Sequence, residues 1–268
     1  KPAELTLVSK AKERALQRWD WKQQALAKLK SRATPGHEAV NIIAKLRSHH
    51  RLKCEEYNQL LSFMASRSIW KTAIATIDDM KEMSVLADAV IYTTAISACR
   101  RVKQWRHSLQ LLCDMLDSQV LPTLSTFNAL ISACGQAQRW QESLLLLRTM
   151  LDFDLSPDLW SLNGAMEAAA LSEQWALALD MLRFLSSYGL QAEAFTYNCA
   201  LRACEVCGQW RACLLLIEDL RQASMAPSLT QYHLVISSAS KEGNWRLACA
   251  LLEEAGACGM LVPVETLE

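Results

Sequence analysis

The chain has 268 residues, 51% apolar and 21% charged, a balance that folds and that excludes an intrinsically disordered polypeptide. Its 8 Gly and 6 Pro leave few tight turns, which argues against a sandwich or barrel of many short strands. The formal net charge is zero but uneven: residues 1–53 carry 13 Lys/Arg against 4 Asp/Glu (+9), and the rest carries 15 against 24 (−9).

Residues 1–53 read as a basic helical arm. The stretch Leu5 to Leu29 has a helical pattern and carries Lys10, Lys12, Arg14, Arg18, Lys22 and Lys28, with Trp19 and Trp21 among the charges. Ala33-Thr34-Pro35-Gly36 breaks the pattern, and Ala39 to Leu46 resumes it as a degenerate repeat that would cap the segment behind it. Three readings stand for the arm: it lies on rRNA or another phosphate-rich surface, it docks on a protein partner, or it is a solvated face. The chain opens on Lys1 instead of Met and reads as processed or truncated. No run of about 18 uncharged apolar residues occurs, so no membrane span is expected.

Beyond the arm, one period governs the sequence. Trp70, Trp105, Trp140, Trp175, Trp210 and Trp245 are spaced by 35 residues without a slip. Thirteen residues before each lies Tyr57, Tyr92, Phe127, Leu162, Tyr197 or Tyr232, followed by Asn58, Thr93, Asn128, Asn163, Asn198 or His233. This places six units at 54–88, 89–123, 124–158, 159–193, 194–228 and 229–263, with a tail at 264–268. Each reads as two helices. Phe127, Leu130, Ile131 and Cys134 form an i, i+3, i+4, i+7 stripe in a first helix. A polar break such as Gly135-Gln136-Ala137-Gln138-Arg139 follows, and the second helix opens near the Trp. Pro122, Pro157 and Pro227 punctuate the ends of units. A lone hairpin cannot bury both faces, so the units are expected to stack into an all-α solenoid, a right-handed superhelix with a concave face. The ladder Trp is expected between helices, where truncation to Ala would cost about 3–5 kcal/mol.

Other chemistry is sparse. Cys204 and Cys207 have CxxC spacing, but no second pair accompanies them and Cys204 shares the helical register of Cys99 and Cys134, so packing is preferred over a metal. The 10 Cys are read as reduced thiols. No Gly-rich phosphate loop, nucleophile elbow or paired-carboxylate motif occurs. No cofactor, metal or catalytic residue is therefore expected, and the chain is read as not an enzyme.

The segment Leu124-Ser125-Thr126-Phe127-Asn128-Ala129-Leu130-Ile131 resembles the V-x-T-Y-N-x-L-I opening of the pentatricopeptide repeat family, and Ala194 to Leu201 is similar. Leu155-Ser156-Pro157-Asp158 loosely resembles that family's closing turn. The tetratricopeptide family, with a period of about 34 and its Trp in the first helix, fits less well. The resemblance implies an RNA-binding protein of an organelle, the mitochondrion placed ahead of the plastid, in which each repeat reads about one base with two or three side chains.

Carried over residue by residue, the base-reading pairs are the fifth and last positions of each repeat: Asn58 with Asp88, Thr93 with Thr123, Asn128 with Asp158, Asn163 with Glu193, and Asn198 with Ser228, with His233 opening the sixth. Asn with Asp resembles a uracil reader and Asn with Ser a cytosine reader. The Asn series also admits a plainer reading, as cap or turn residues at the start of the first helix. The second position, which wedges against the base in the family, holds Val90, Trp160 and Phe195; Trp160 also admits packing on the neighbouring repeat. Phosphate contacts are expected from Lys10, Lys12, Arg14, Arg18 and Lys22 of the arm and from Arg101 and Lys241 late in the first helices. The implied partners are single-stranded RNA or rRNA. The alternative is a structural adaptor held by other protein subunits of a ribonucleoprotein or large organelle assembly such as a mitochondrial ribosome. The acidic array favours the adaptor and the Asn series favours RNA.

Overall fold

The computed structural model describes residues 21–25, 27–29, 36–49, 52–185 and 189–257, and all regular structure among them is helical. Lys10, Lys12, Arg14, Arg18 and Trp19 of the expected arm lie outside the described residues, as do the expected end of the sixth unit and the tail. The chain divides into two compact units, residues 1–122 and 123–268.

In the first unit, residues 21–25 and 27–29 are helical and precede α1 (Gly36–His49), α2 (Cys54–Ser66), α3 (Trp70–Glu82), α4 (Ala89–Arg101) and α5 (Trp105–Asp117). The second unit holds α6 (Leu124–Gln136), α7 (Trp140–Asp152), α8 (Leu159–Leu171), α9 (Trp175–Leu185), α10 (Ala194–Val206), α11 (Trp210–Gln222), α12 (Leu229–Lys241) and α13 (Trp245–Ala257). From α2 onward, first and second helices alternate. In the first unit the first helices α2 and α4 pack on each other; in the second, α6, α8, α10 and α12 pack in succession. Each second helix packs against the first helix of its own hairpin, and within a unit against the next first helix as well. The first helices thus form a continuous layer in each unit, with the second helices behind. This is helical-repeat stacking, in which each hairpin buries what its neighbour leaves open.

Local chemistry sets the helix ends. Asp88, Asp158 and Ser228, each the residue before a first helix, cap it: the backbone N–H of Ile91 donates to Asp88 Oδ1 at 2.8 Å, that of Ser161 to Asp158 Oδ1 at 2.8 Å, and that of Gln231 to Ser228 Oγ at 3.4 Å. Termination repeats as faithfully. A residue with φ near +60° closes the helix, and the N–H after it donates back to the carbonyl five residues earlier, as in Gln104 to Cys99 and Arg139 to Cys134. Lys103, Gln138 and Glu173 adopt this left-handed conformation without being glycine, which is how a Gly-poor chain makes its turns. The first helices also approach closely: a Cβ added to Gly135 of α6 would stand 3.1 Å from the Gly164 carbonyl oxygen of α8.

The deepest column is the aromatic one. Tyr57, Tyr92, Phe127 and Tyr232 are all but fully buried, and Leu162 and Tyr197 are buried in the same register. The tyrosine hydroxyls reach second-helix ends, Tyr92 to Ser118 Oγ at 3.0 Å and Tyr57 to Met83 sulfur at 3.7 Å. The Trp ladder departs from its expected core role. Trp70, Trp105, Trp140, Trp175 and Trp210 are half-buried, and Trp245 is 66% exposed. Each is the first residue of a second helix, at the rim of the hairpin, and Trp175 packs against the buried cluster of Ala169, Ala170, Ala178 and Ala203. Lys71, Arg106, Arg211 and Arg246 sit over the rings of the Trp that precedes each of them, at 5.2 to 5.6 Å from the centroids.

Candidate nucleic-acid interface

In each unit the exposed edge of the first-helix layer carries the residues singled out by position. One helical turn separates the second position from the fifth, and a further turn the ninth, so all three share a face. At the second position Trp160 is 76% exposed, Val90 59% and Phe195 52%, far beyond what an apolar side chain at a buried edge would show.

The fifth-position residues lie in the second turn of their helices, not at the cap, because Cys54, Leu124 and Ala194 are already the first helical residues. The cap-or-turn reading of the Asn series is thus displaced; the last residue of the preceding repeat does that work. Asn128 is held firmly. Its Nδ2 donates to both Asp158 carboxylate oxygens at 3.2 and 3.1 Å, and the Ser161 hydroxyl donates to its Oδ1 at 2.6 Å. Asp158 therefore caps α8 and clamps the fifth residue of the previous repeat. Among the described residues no hydrogen bond joins Asn58 to Asp88, Asn163 to Glu193 or Asn198 to Ser228. The Oδ1 atoms of Asn58, Asn163 and Asn198 are buried without a hydrogen-bond partner among the described residues, and Asn163 is only 5% exposed. A buried carbonyl oxygen left unpaired costs free energy that a donor from outside would recover. Thr93 returns its hydroxyl to the Ala89 carbonyl at 2.7 Å; Thr123 lies at the start of α6, where the N–H of Thr126 donates to its hydroxyl at 3.4 Å. Glu193 precedes α10, and its N–H donates to Thr196 Oγ1 at 3.3 Å.

In the second unit these positions open on a groove of about 490 Å³ lined by Phe195, Asn198, Arg202, Thr230, His233 and Glu167, among others. Arg202 and Glu167 form a loose ion pair across it at 3.9 Å. Both are ninth-position residues that the sequence reading passed over; their place one turn beyond the fifth position was the available signal.

Three of the cations expected at phosphates fall among the described residues, and each contacts a protein group. Lys22 pairs with Glu56 at 2.6 Å, Arg101 donates to the Ser66 carbonyl at 3.2 Å, and Lys241 donates to Glu205 Oε1 at 2.6 Å and to the Glu205 carbonyl at 3.1 Å. Arg101 and Lys241 thus satisfy the last carbonyls of the first helix one repeat back. Burial tends to raise the Glu205 carboxyl, but hydrogen bonds from Lys241 and Ser237 and the Lys241 charge outweigh it and hold Glu205 below its ordinary value. No group of three or more His, Cys, Asp or Glu could hold a metal, and no helix is long and apolar enough to cross a membrane, both among the described residues.

Two family models match the chain. The PPR repeat family model matches residues 87–136, and the PPR repeat model matches residues 125–155 and 195–225. Compared with curated proteins by sequence, the chain has no match. Among solved structures it is similar to the pentatricopeptide repeat protein PPR10 from maize, at 25% identity and a TM-score of 0.68 over 86% of this chain and 33% of that one. PPR10 in complex with an 18-nt psaJ RNA element matches at 18% identity and a TM-score of 0.55, over 92% of this chain and 43% of that one. The PPR domain of Arabidopsis thaliana protein-only RNase P 1, solved in complex with tRNA, shares the fold at 14% identity and a TM-score of 0.56, over 64% of this chain and 91% of the domain. The chain thus spans about a third of the first maize structure. The 35-residue hairpins, their stacking and the two matching models together place the chain in the pentatricopeptide repeat family.

Proposed function

We propose that this chain is a non-catalytic RNA-binding repeat protein of an organelle, and that single-stranded RNA lies along the exposed edge of its first-helix layer. The observation that carries this reading is the groove between α10 and α12. There the half-exposed Phe195 ring stands beside Asn198, whose Oδ1 has no hydrogen-bond partner among the described residues, and His233 is exposed on α12. An aromatic face, an amide and an imidazole around one apolar groove are what an unstacked base needs: a ring to stack on and polar atoms for its edge. Trp160 offers a second platform one repeat earlier. The solved RNA complexes of PPR10 and of the Arabidopsis PPR domain support the same assignment.

Fluorescence anisotropy with a pyrimidine-rich single-stranded RNA tests it on the full chain. Stacking is worth about 1–3 kcal/mol per base, so Trp160→Ala with Phe195→Ala should weaken binding by at least roughly tenfold. Unchanged affinity in the double variant would remove the proposal.

The adaptor reading keeps one specific support. Residues 123–268 carry 8 Lys/Arg against 16 Asp/Glu, a net −8, and Leu145 and Leu215 on second helices are 62% exposed. An acidic unit with exposed leucines suits a protein neighbour better than phosphate. No RNA binding by the full chain, with retention in a large particle after RNase treatment, would favour it.

A further inference from the structure

The acidic balance of the repeats conceals a segregation of charge. Residues 54–122 carry seven Lys/Arg and eight Asp/Glu. No Asp or Glu occurs from Tyr57 to Ile77 or from Ala89 to Cys113, and six of the seven cations fall within those two stretches: Arg67, Lys71, Arg100, Arg101, Lys103 and Arg106. All six occupy the end of a first helix, the turn after it, or the start of the second helix.

Two contacts bring the turns of these adjacent hairpins together. Arg101 Nη1 donates to the Ser66 carbonyl at 3.2 Å, and the Trp70 and His107 rings lie 4.8 Å apart. Lys71, Arg101, Lys103, Arg106 and His107 are exposed; Arg67 and Arg100 are half-buried. The acids lie elsewhere: Glu55 and Glu56 at the start of α2, Asp88 before α4, and Asp78, Asp79, Glu82, Asp114 and Asp117 in the later parts of α3 and α5. Among the described residues of these two hairpins, Lys71, Arg101, Lys103 and Arg106 are therefore exposed along one rim to which neither hairpin contributes an Asp or Glu.

We propose that this rim, formed by the helix-to-helix turns of the hairpins at 54–88 and 89–123, binds the phosphodiester backbone of RNA without reading bases, through residues other than those lining the groove of the second unit. The rim's chemistry selects the occupant. The exposed large apolar residues of this region are Met83, Leu86, Val90, Leu116 and Leu121, none of them on the rim. A protein interface or an inserted membrane surface needs an apolar centre, and the rim offers none. Lys71 and Arg106 already cover the rings of Trp70 and Trp105, so the aromatics there support cations and leave no free base platform. What remains is charge without an apolar or base-reading element, which matches a polyanion's backbone. Taking that polyanion to be RNA rests on the reading of the first-helix edge given above.

The test uses the full chain, Lys71→Gln/Lys103→Gln/Arg106→Gln, and Trp160→Ala/Phe195→Ala, each checked for an unchanged far-UV spectrum and melting curve. The probe is an RNA duplex of arbitrary sequence, which hides its base edges, titrated across salt. The triple variant should bind the duplex at least tenfold more weakly and lose about 2–3 from the slope of log affinity against log salt, near 0.9 per phosphate contact. The aromatic double variant should bind the duplex as the unaltered chain does. Equal duplex affinity and slope in the triple variant would overturn the proposal. So would a poly-glutamate peptide or phosphatidylserine vesicles displacing the duplex as effectively as unlabelled duplex does. Failure of the aromatic variant to weaken single-strand binding, with the duplex result intact, would remove the groove reading and leave the rim standing.

Discussion

Asn128 and Asp158 are joined across a repeat boundary by two hydrogen bonds, at 3.2 and 3.1 Å, while the same carboxylate accepts the Ser161 N–H that begins α8. One side chain therefore serves stability and orientation, and the two roles are separable. Asp158→Ala removes both and should cost about 1–2 kcal/mol for the lost cap. Asp158→Ser keeps a capping hydroxyl and should recover most of that stability, since Ser and Asp cap comparably. It should still release the Asn128 amide, and if this repeat reads a base as the family resemblance implies, it should move the preference from uracil towards cytosine. Urea unfolding and competitive RNA binding read the two effects independently; equal loss of both in the two variants would contradict the division.

Phe127 and Trp245 invert what their sizes suggest. Phe127 is fully buried and packs against Phe153 with the rings tilted by 50° and their centroids 5.9 Å apart, whereas Trp245 is 66% exposed. Phe127→Ala should cost about 3–5 kcal/mol. Trp245→Ala, at a largely solvated position, should cost less than about 1 kcal/mol. Chemical denaturation of the two variants checks the order, and a larger loss at Trp245 would mean that the ladder carries more of the core than its exposure indicates.

That inversion marks where the sequence was legible and where it was not. The period of 35 read from Trp70 to Trp245 is independent of what each Trp touches, so the repeat follows from spacing, and the apolar stripe of Phe127, Leu130, Ile131 and Cys134 makes its units helical. Burial does not. Trp70 and Tyr57 are both large, periodic and aromatic, and only the position of the first at a helix start, at the hairpin rim, separates it from the second. The partners of Arg101 and Lys241 lie 35 and 36 residues back, so their role as helix-end donors becomes visible only once neighbouring hairpins stack. The last residue of a repeat was ambiguous for a different reason: Asp158 and Ser228 suit a helix cap and a base-reading pair equally, and Asp158 holds both the cap and Asn128.

The cysteines give a test of packing that needs no substitution. Burial pushes the Cys99 thiol up to about 11 and those of Cys134 and Cys199 up to about 12, so few thiolates exist there near neutral pH. Cys113 and Cys249 are exposed. Brief iodoacetamide treatment of the native protein should label Cys113 and Cys249 and spare Cys99, Cys134 and Cys199 until denaturant is added. Peptide mass spectrometry gives the order directly, and early labelling of Cys134 would show that α6 is not shielded as the stack requires.

Glu205 and Lys241 should give the last two hairpins a measurable acid sensitivity. Burial works to raise the Glu205 carboxyl, yet hydrogen bonds from Lys241 at 2.6 Å and Ser237 at 2.8 Å win, and the folded-state value lies below the ordinary one. A carboxylate depressed on folding stabilises at pH values above its unfolded value, about 4.3 for Glu, and that stability is lost as pH falls through the lower folded value. Lys241→Gln removes the charge and the stronger donor, so it should lower the urea midpoint near neutral pH. The gap between the two proteins should hold from neutrality down to about pH 5 and then close in more acidic buffer, because protonated Glu205 no longer distinguishes Lys from Gln. A gap that persists unchanged at the acidic end would assign the loss to packing of the Lys241 stem over Glu205 and not to the charge between them.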